Sequence, residues 1–259
     1  MIESKSNQQV KHVVQLQSKA KTRRQEKSFV VEGPRMVSET PAHLLQKVYV
    51  VSNASDEVRQ AVAGLDASLV EEVSESVFAT MSETVTPQGV LAIVTMPEYP
   101  VETFFDKENG LYLILENIQD PGNLGTMMRT AEGAGVDGII MSRDTVDLFS
   151  PKVVRSTMGS LYRMPFVIAE DLGATIEDMK SRGICVYAAH LQGQKFYDEF
   201  DYKGATAFLI GNEGNGLRRE TADLATEYLK IPMAGSLESL NAAMAAGVLM
   251  YEASRQRRG

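Results

Sequence analysis

Cysteine and histidine are scarce in this 259-residue chain, and the scarcity closes off several chemistries. Cys185 is the sole cysteine, so no internal disulfide framework can form. His12, His43 and His190 are scattered and build neither an HExxH pair nor a Cys/His cluster. A metal centre would have to rest on carboxylates alone, and no metal is expected. Long hydrophobic runs are also lacking: no window approaches about eighteen uninterrupted apolar residues. The first residues, MIESKSNQQVKHVVQLQSKAKTRRQ, are polar throughout. Neither a membrane span nor a secretory apolar region is read there, and a cytoplasmic location is the default expectation. No glycine-lysine-serine or glycine-lysine-threonine follows an apolar run, so the phosphate-binding P-loop is missing.

What the chain does have is the balance of a folded protein, 44% hydrophobic against 23% charged residues, in a length that fits one large or two ordinary domains. Its net charge of -8 argues at first against nucleic acid as a partner, because affinity for phosphates comes chiefly from Lys and Arg. The distribution points the other way. Residues 1–35 carry Lys5, Lys11, Lys19, Lys21, Arg23, Arg24, Lys27 and Arg35 against Glu3, Glu26 and Glu32. This stretch is either a basic face or a solvated amphipathic helix whose charges serve solubility.

From Ser28 apolar strands alternate with helical stretches: FVVEG, PRMVSETPAHLL, KVYVV, SDEVRQAVAG, LVEEV and GVLAIV. Strands separated by helices predict a mostly parallel sheet. MPEYPVETFFDKENG has two prolines, several acids and no period, and reads as a linker. The alternation resumes with LYLILEN and runs to a last helix from about Ser239 to Gln256. The expected organisation is a basic helical segment over 1–27, a small α/β domain over 28–96, a linker over 97–110 and a second α/β domain over 111–259.

Glycine, asparagine and proline crowd three strand ends of the second half, where ligands of open α/β sheets bind. In LILENIQDPGNLGTMMRTAEGAG a strand turns through Asp120-Pro121-Gly122 into a helix that puts Gly125 and Arg129 on one face. Asn123 could be an N-cap there and Arg129 a surface charge. In ATAFLIGNEGNGL a strand runs into three glycines in six residues, with Glu213 as the one charge among them. A tight turn with Glu213 at a helix N-terminus reads equally well. In YLKIPMAGSLESLNAAMAAGVLMYEASR a short strand joins a long helix that is apolar nearly all round, buried by its own core or by a second subunit. Gly133-Ala-Gly135-Val-Asp-Gly138 matches the dinucleotide fingerprint but follows a helix and precedes a strand, the reverse of the context required. His190 ends an apolar strand and reads as a tethered histidine rather than a catalytic base.

Taken in order, NIQDPGNLGTMMRTAEGAGV, FLIGNEGNGL and LKIPMAGSLESLNAAMAAGVLMYE resemble the three signature motifs of the SpoU (TrmH-like) RNA 2'-O-ribose methyltransferases of the SPOUT superfamily. FVVEGPRMVSE and PQGVLAIV are similar to the L30e-like substrate-binding domain that precedes the catalytic domain in many members. The resemblance implies an α/β fold with a C-terminal SPOUT domain tied in a deep trefoil knot, a homodimer, and S-adenosylmethionine as methyl donor. It implies cofactor contacts from Leu209, Ile210, Gly211, Ile231, Met233, Ser239 and Leu240. It assigns catalysis to Asn123, Arg129, Glu213, Ser239 and Asn241, with Arg129 as the proposed activator of the ribose hydroxyl. Lys19, Lys21, Arg23, Arg24, Arg35 and Arg155 become candidate RNA contacts. Ribosomal RNA is the implied substrate. The alternatives are a transfer RNA methyltransferase, a catalytically silent RNA-binding or ribosome-assembly protein, and methylation of a protein or small molecule.

Overall fold

The computed structural model describes residues 1–100 and 104–258 and divides the chain into two units. The first comprises Met1–Glu98 with Asp147–Tyr162, the second Tyr99–Val146 with Arg163–Gly259. The division departs from the sequence reading in three places. The basic segment is part of the first unit; Asp147–Tyr162 leaves the second half to join the first unit; and the expected linker is split at Glu98, its residues 101–103 lying outside the described ones.

In the first unit a sheet of β1 (Ser28–Glu32), β2 (Leu45–Val51), β3 (Val70–Val73) and β4 (Val90–Thr95) runs in the order β1-β4-β2-β3. β4 is antiparallel to both neighbours and only the β2–β3 pair is parallel, so the expected mostly parallel sheet is corrected here to a mixed one. The cause is the last strand. GVLAIV returns between the two earlier strands instead of adding at an edge, which periodicity cannot reveal.

Helix α1 (Gln8–Ser18) starts where the Asn7 side chain accepts from the Gln9 backbone N–H at 2.8 Å. Its Val10, Val13 and Leu16 fall on one face and are almost fully buried, with Tyr49, Phe78 and Ile93 among their cluster. Burial of this kind stabilises by roughly 1.5–3 kcal/mol per side chain, which is why the segment folds with the unit. α2 (Ala20–Glu26) ends at Lys27, in the left-handed region at φ 48°. α3 (Pro34–Glu39), α4 (Asp56–Val62) and α5 (Glu75–Met81) complete the crossovers, and α7 (Pro151–Thr157) packs on β1.

Among its described residues the second unit has seven parallel strands: β5 (Leu111–Leu115), β6 (Gly138–Ser142), β7 (Phe166–Ala169), β8 (Cys185–Ala189), β9 (Lys195–Phe196), β10 (Thr206–Ile210) and β11 (Glu227–Lys230). Their order is β7-β6-β5-β10-β8-β11-β9. β5, β6 and β10 are buried at every residue, the pattern of strands covered on both faces. One face carries Tyr112, Ile114 and Leu209 beneath α8 (Leu172–Ser181), and Phe105 of the expected linker is buried in that same cluster. α6 (Pro121–Ala134) and α10 (Ala242–Arg257) pack on each other, and α10 also on β10. The chain builds outward from β5 through β6 to β7, then continues on the far side and inserts β10 beside β5. The order therefore reverses between β5 and β10, and ligands of open parallel sheets bind at such a reversal, beyond the carboxyl ends of the strands.

Candidate functional site

Beyond β5 the apolar run ends in Glu116 and Asn117. Glu116 is buried and spends its carboxylate on the loop after β10: it accepts from the Arg218 backbone N–H at 2.8 Å and from the Thr221 hydroxyl at 2.5 Å. Asn117 takes φ 55°, a left-handed conformation that asparagine tolerates, and its carbonyl accepts from the Asn212 side-chain amide at 2.8 Å. Arg218 ion-pairs with Asp144, whose carboxyl is raised by burial but lowered further by Ser142 and Arg218, so that it sits below the usual range.

The loop after β10 is a tight hairpin in which Asn212 and Gly216 exchange both backbone hydrogen bonds, at 3.0 and 2.9 Å. Gly211 lies under it. A Cβ on Gly211 would stand 2.3 Å from the Gly216 carbonyl carbon and 2.4 Å from the Leu217 nitrogen, so only glycine closes this turn. The hairpin presents Glu213 to the start of α6. One Glu213 oxygen accepts from the Gln119 backbone N–H at 3.1 Å. The other accepts from the Asp120 N–H at 3.1 Å and from the Asn123 amide at 3.0 Å. Partial burial raises the Glu213 carboxyl, but these donors outweigh it and hold the group below its usual value.

Asn123 in turn accepts from the Asn241 side-chain amide at 3.0 Å, and the Asn241 side-chain oxygen caps α10 by accepting from Ala243 and Met244. An unbroken chain thus runs Asn241, Asn123, Glu213, backbone 119–120, joining the three glycine-rich and asparagine-rich segments in one place. The N-cap of α6 is Asp120 rather than Asn123, which is released for this contact. Arg129, six residues further along α6, is exposed and makes no hydrogen bond or ion pair among the described residues. Residues 232–240, between β11 and α10, make no backbone hydrogen bond among the described residues, and Leu237 and Leu240 are exposed there. Such a segment holds unspent backbone donors and acceptors beside apolar surface, the composition of a small-molecule cleft.

Residues 110–251 match the SpoU rRNA Methylase family, and residues 7–92 match the MRM3-like substrate binding domain. The chain is 34% identical over 251 residues, 96% of its own length and 97% of the relative's, to 23S rRNA (guanosine(2553)-2'-O)-methyltransferase RlmP of Bacillus subtilis. The chain belongs to the SpoU methylase family. Among solved structures, the SpoU methyltransferase AviRb of Streptomyces viridochromogenes in complex with AdoMet aligns with a TM-score of 0.87 at 28% identity, covering 98% of this chain and 99% of that one. The AdoMet-bound rRNA methyltransferase of Sinorhizobium meliloti aligns with a TM-score of 0.84 at 34% identity, covering 98% and 97%.

Within this SpoU unit, Asn123, Glu213 and Asn241 meet directly, whereas Ser239 is exposed and makes no hydrogen bond among the described residues. Ile231 and Met233 are half-buried. Two of the expected cofactor contacts, Leu209 and Ile210, lie in β10. The Leu209 and Ile210 side chains are buried at 0% and 3% exposure in the sheet, where strand alternation puts them against α8 and the opposite layer. Any contribution from these two positions is through backbone.

Arg23 is also corrected as an RNA contact: it is 4% exposed, its Nη1 caps α1 through the Leu16 and Gln17 carbonyls at 2.6 and 2.7 Å, and its Nη2 holds Asp147 at 2.6 Å. Lys19, Lys21 and Arg24 are exposed without side-chain partners among the described residues. Arg35 is exposed and donates to Glu39, and Arg155 is half-buried on α7. His190 is tethered as expected, stacked on Tyr228 with centroids 4.8 Å apart and accepting from the Gln192 N–H. Sequence alone does not single out Glu116, Asn117, Gln119 and Arg218. The signal for Glu116 was a lone acid closing an apolar strand.

Proposed function

We propose that this chain transfers the methyl group of S-adenosylmethionine to a ribose 2'-hydroxyl of RNA, the family activity, with large-subunit ribosomal RNA as its substrate and transfer RNA as the second choice. The observation that carries the reading is the Asn241–Asn123–Glu213 chain at the start of α6, the helix that also carries an unpaired, exposed Arg129. S-adenosylmethionine fits the residues present: 232–240 offers free backbone groups and apolar side chains, and Gly211 keeps the neighbouring turn closed. Gly211, Ile231, Met233, Ser239 and Leu240, with the backbone of Leu209 and Ile210, are the residues that would hold it. When bound, it supplies an already activated methyl electrophile.

The rest of the chemistry belongs to this chain. As the O–C bond forms and the S–C bond breaks, the hydroxyl must lose its proton. A free guanidinium does not accept a proton at neutral pH, so Arg129 positions the ribose and stabilises the developing alkoxide charge, an effect of about 3–4 kcal/mol by analogy with oxyanion donors. The proton leaves to solvent or a neighbouring phosphate oxygen. Asn123 and Asn241 act as positioning residues that fix the start of α6, and Glu213 anchors their chain. Met244 and Tyr251 of α10 are 60% and 47% exposed on one helix face, which fits a second copy of the catalytic unit completing a homodimer. The deep trefoil knot, the cytoplasmic setting and RNA contacts from Lys19, Lys21 and Arg24 belong to the same proposal. Among the described residues no helix is long and apolar enough to cross a membrane.

The test is incubation with methyl-labelled S-adenosylmethionine and total RNA. Label released by ribonuclease but stable to alkali at one internucleotide bond is the expected result. Label that survives ribonuclease on protein would overturn the proposal. RNA that is bound but never labelled would instead leave a silent RNA-binding protein.

A further inference from the structure

α6 presents Arg129 on an exposed face, and only one of its neighbours on the helix can answer a guanidinium with charge. Residues three and four apart on a helix are surface neighbours, about 5–6 Å from each other at Cβ. For Arg129 these are Gly125, Thr126, Glu132 and Gly133. Two are glycines and one ends in a hydroxyl. Glu132 is the sole acid within four residues on either side of Arg129, and left to itself it would pair with that guanidinium and neutralise it.

Another arginine holds it instead. Arg163, three residues before β7 in the same unit, donates from Nε to Glu132 Oε1 at 2.5 Å and from Nη2 to Glu132 Oε2 at 3.3 Å. One nitrogen on each carboxylate oxygen is the fork-to-fork arrangement in which a planar guanidinium grips a carboxylate in a fixed orientation. The two side chains are 46% and 30% exposed, so the pair is partly sheltered from water. Arg129 keeps no hydrogen bond or ion pair among the described residues. Of the two cations that could claim Glu132, Arg163 has taken it and Arg129 retains its charge.

Resting on the methyl-transfer reading above, we propose that Arg163 is a positioning residue for Arg129: by occupying Glu132 it keeps the Arg129 guanidinium available to the ribose oxygen and its neighbouring phosphate. An exposed ion pair is closed up to about fivefold more often than it is open. A Glu132 released from Arg163 would therefore hold Arg129 most of the time and leave roughly a quarter of the molecules able to react.

The experiment measures kcat of the full chain with saturating RNA and S-adenosylmethionine. Arg163→Ala is expected to lower kcat by about three- to fivefold at low salt, with S-adenosylmethionine affinity by calorimetry at the parent's value. Adding Glu132→Gln to Arg163→Ala should bring kcat back to within about twofold of the parent, since an amide has no charge with which to hold Arg129. Raising the salt should narrow the gap between Arg163→Ala and the parent, because an exposed pair is screened. Should Arg163→Ala fail to fold, Arg163→Lys, whose compact ammonium cannot span both oxygens as a fork does, should show a smaller loss relieved in the same two ways. Parent kcat in the Arg163 variants would overturn the proposal, and so would a loss that neither Glu132→Gln nor salt relieves, or one that falls on S-adenosylmethionine affinity, since each marks a merely structural arginine. A parent whose rate depends on Arg129 while its Arg163 variants behave in any of those ways sinks this inference alone. A parent that methylates no RNA, or does so equally well without Arg129, sinks the functional reading with it.

Discussion

Arg129 stands exposed on α6 with no protein partner among the described residues, one turn and a half beyond Asn123, which is fully engaged. An exposed cation with no partner among the described residues is available to an anionic or developing negative group. Arg129→Ala is expected to leave S-adenosylmethionine affinity nearly intact and to cut turnover by at least about a hundredfold; steady-state kinetics with calorimetry decides it, and an unchanged rate removes Arg129 from the mechanism.

Glu213 differs in kind. Its carboxyl lies below its ordinary value of 4.5 because donors from Asn123 and backbone outweigh burial. A depressed pKa means the anion contributes stability above the unfolded value, and that contribution is lost as pH falls through the folded one. Melting temperature followed downward from pH 6 should therefore drop less for Glu213→Gln than for the parent below about pH 4.5; parallel curves would contradict the pairing. Arg23 and Arg24 are neighbours in sequence with opposite roles. Arg23→Ala breaks a buried ion pair with Asp147 and should cost about 3 kcal/mol in denaturant unfolding. Neutralising Lys19, Lys21 and Arg24 should leave stability alone while flattening the salt dependence of RNA binding.

At the scale of elements, the hairpin 211–217 carries the site because three neighbours hold it: Glu116 through Arg218 and Thr221, Asn117 through Asn212, and α6 through Glu213. Gly211→Val drives a side chain into the Gly216–Leu217 backbone, so the hairpin must open and Glu213 must leave Asn123. Calorimetry should show loss of S-adenosylmethionine binding, and normal affinity would mean the hairpin does not shape the cofactor cleft. The three segments were legible in sequence because glycine and asparagine gather where special backbone is needed, as at Gly216 and Asn117. Their mutual bonds were not, since Asn241 and Asn123 lie 118 residues apart and nothing local records the contact. For the same reason the sequence does not tell whether Leu209 and Ile210 would serve a cofactor by side chain or by backbone. A motif marks its residues without telling which side chains the sheet buries, and strand alternation sends these two into the core. The antiparallel β4 was likewise hidden, because periodicity gives a strand but not its neighbour.

At the scale of the whole molecule, an acidic chain with a basic N-terminal stretch is consistent with one face adapted to RNA, while the bulk of the negative charge lies elsewhere. α10 buries Ala242, Ala243, Ala246, Leu249 and Met250 within its own unit, yet leaves Met244 and Tyr251 in the open. Those two are expected to meet their counterparts in a second copy. Sedimentation should find the parent dimeric and Met244→Glu with Tyr251→Glu monomeric, and a monomeric parent would place the face at no such interface.

The most direct measurement is a map of 2'-O-methylation across ribosomal and transfer RNA from cells lacking this protein, compared with the same RNA after incubation with purified protein and S-adenosylmethionine. One ribose should lose its methyl group in the deletion and regain it with the parent protein, but not with Arg129→Ala. An unaltered map in the deletion, or restoration by the arginine variant, would contradict the assignment of this site to RNA ribose methylation.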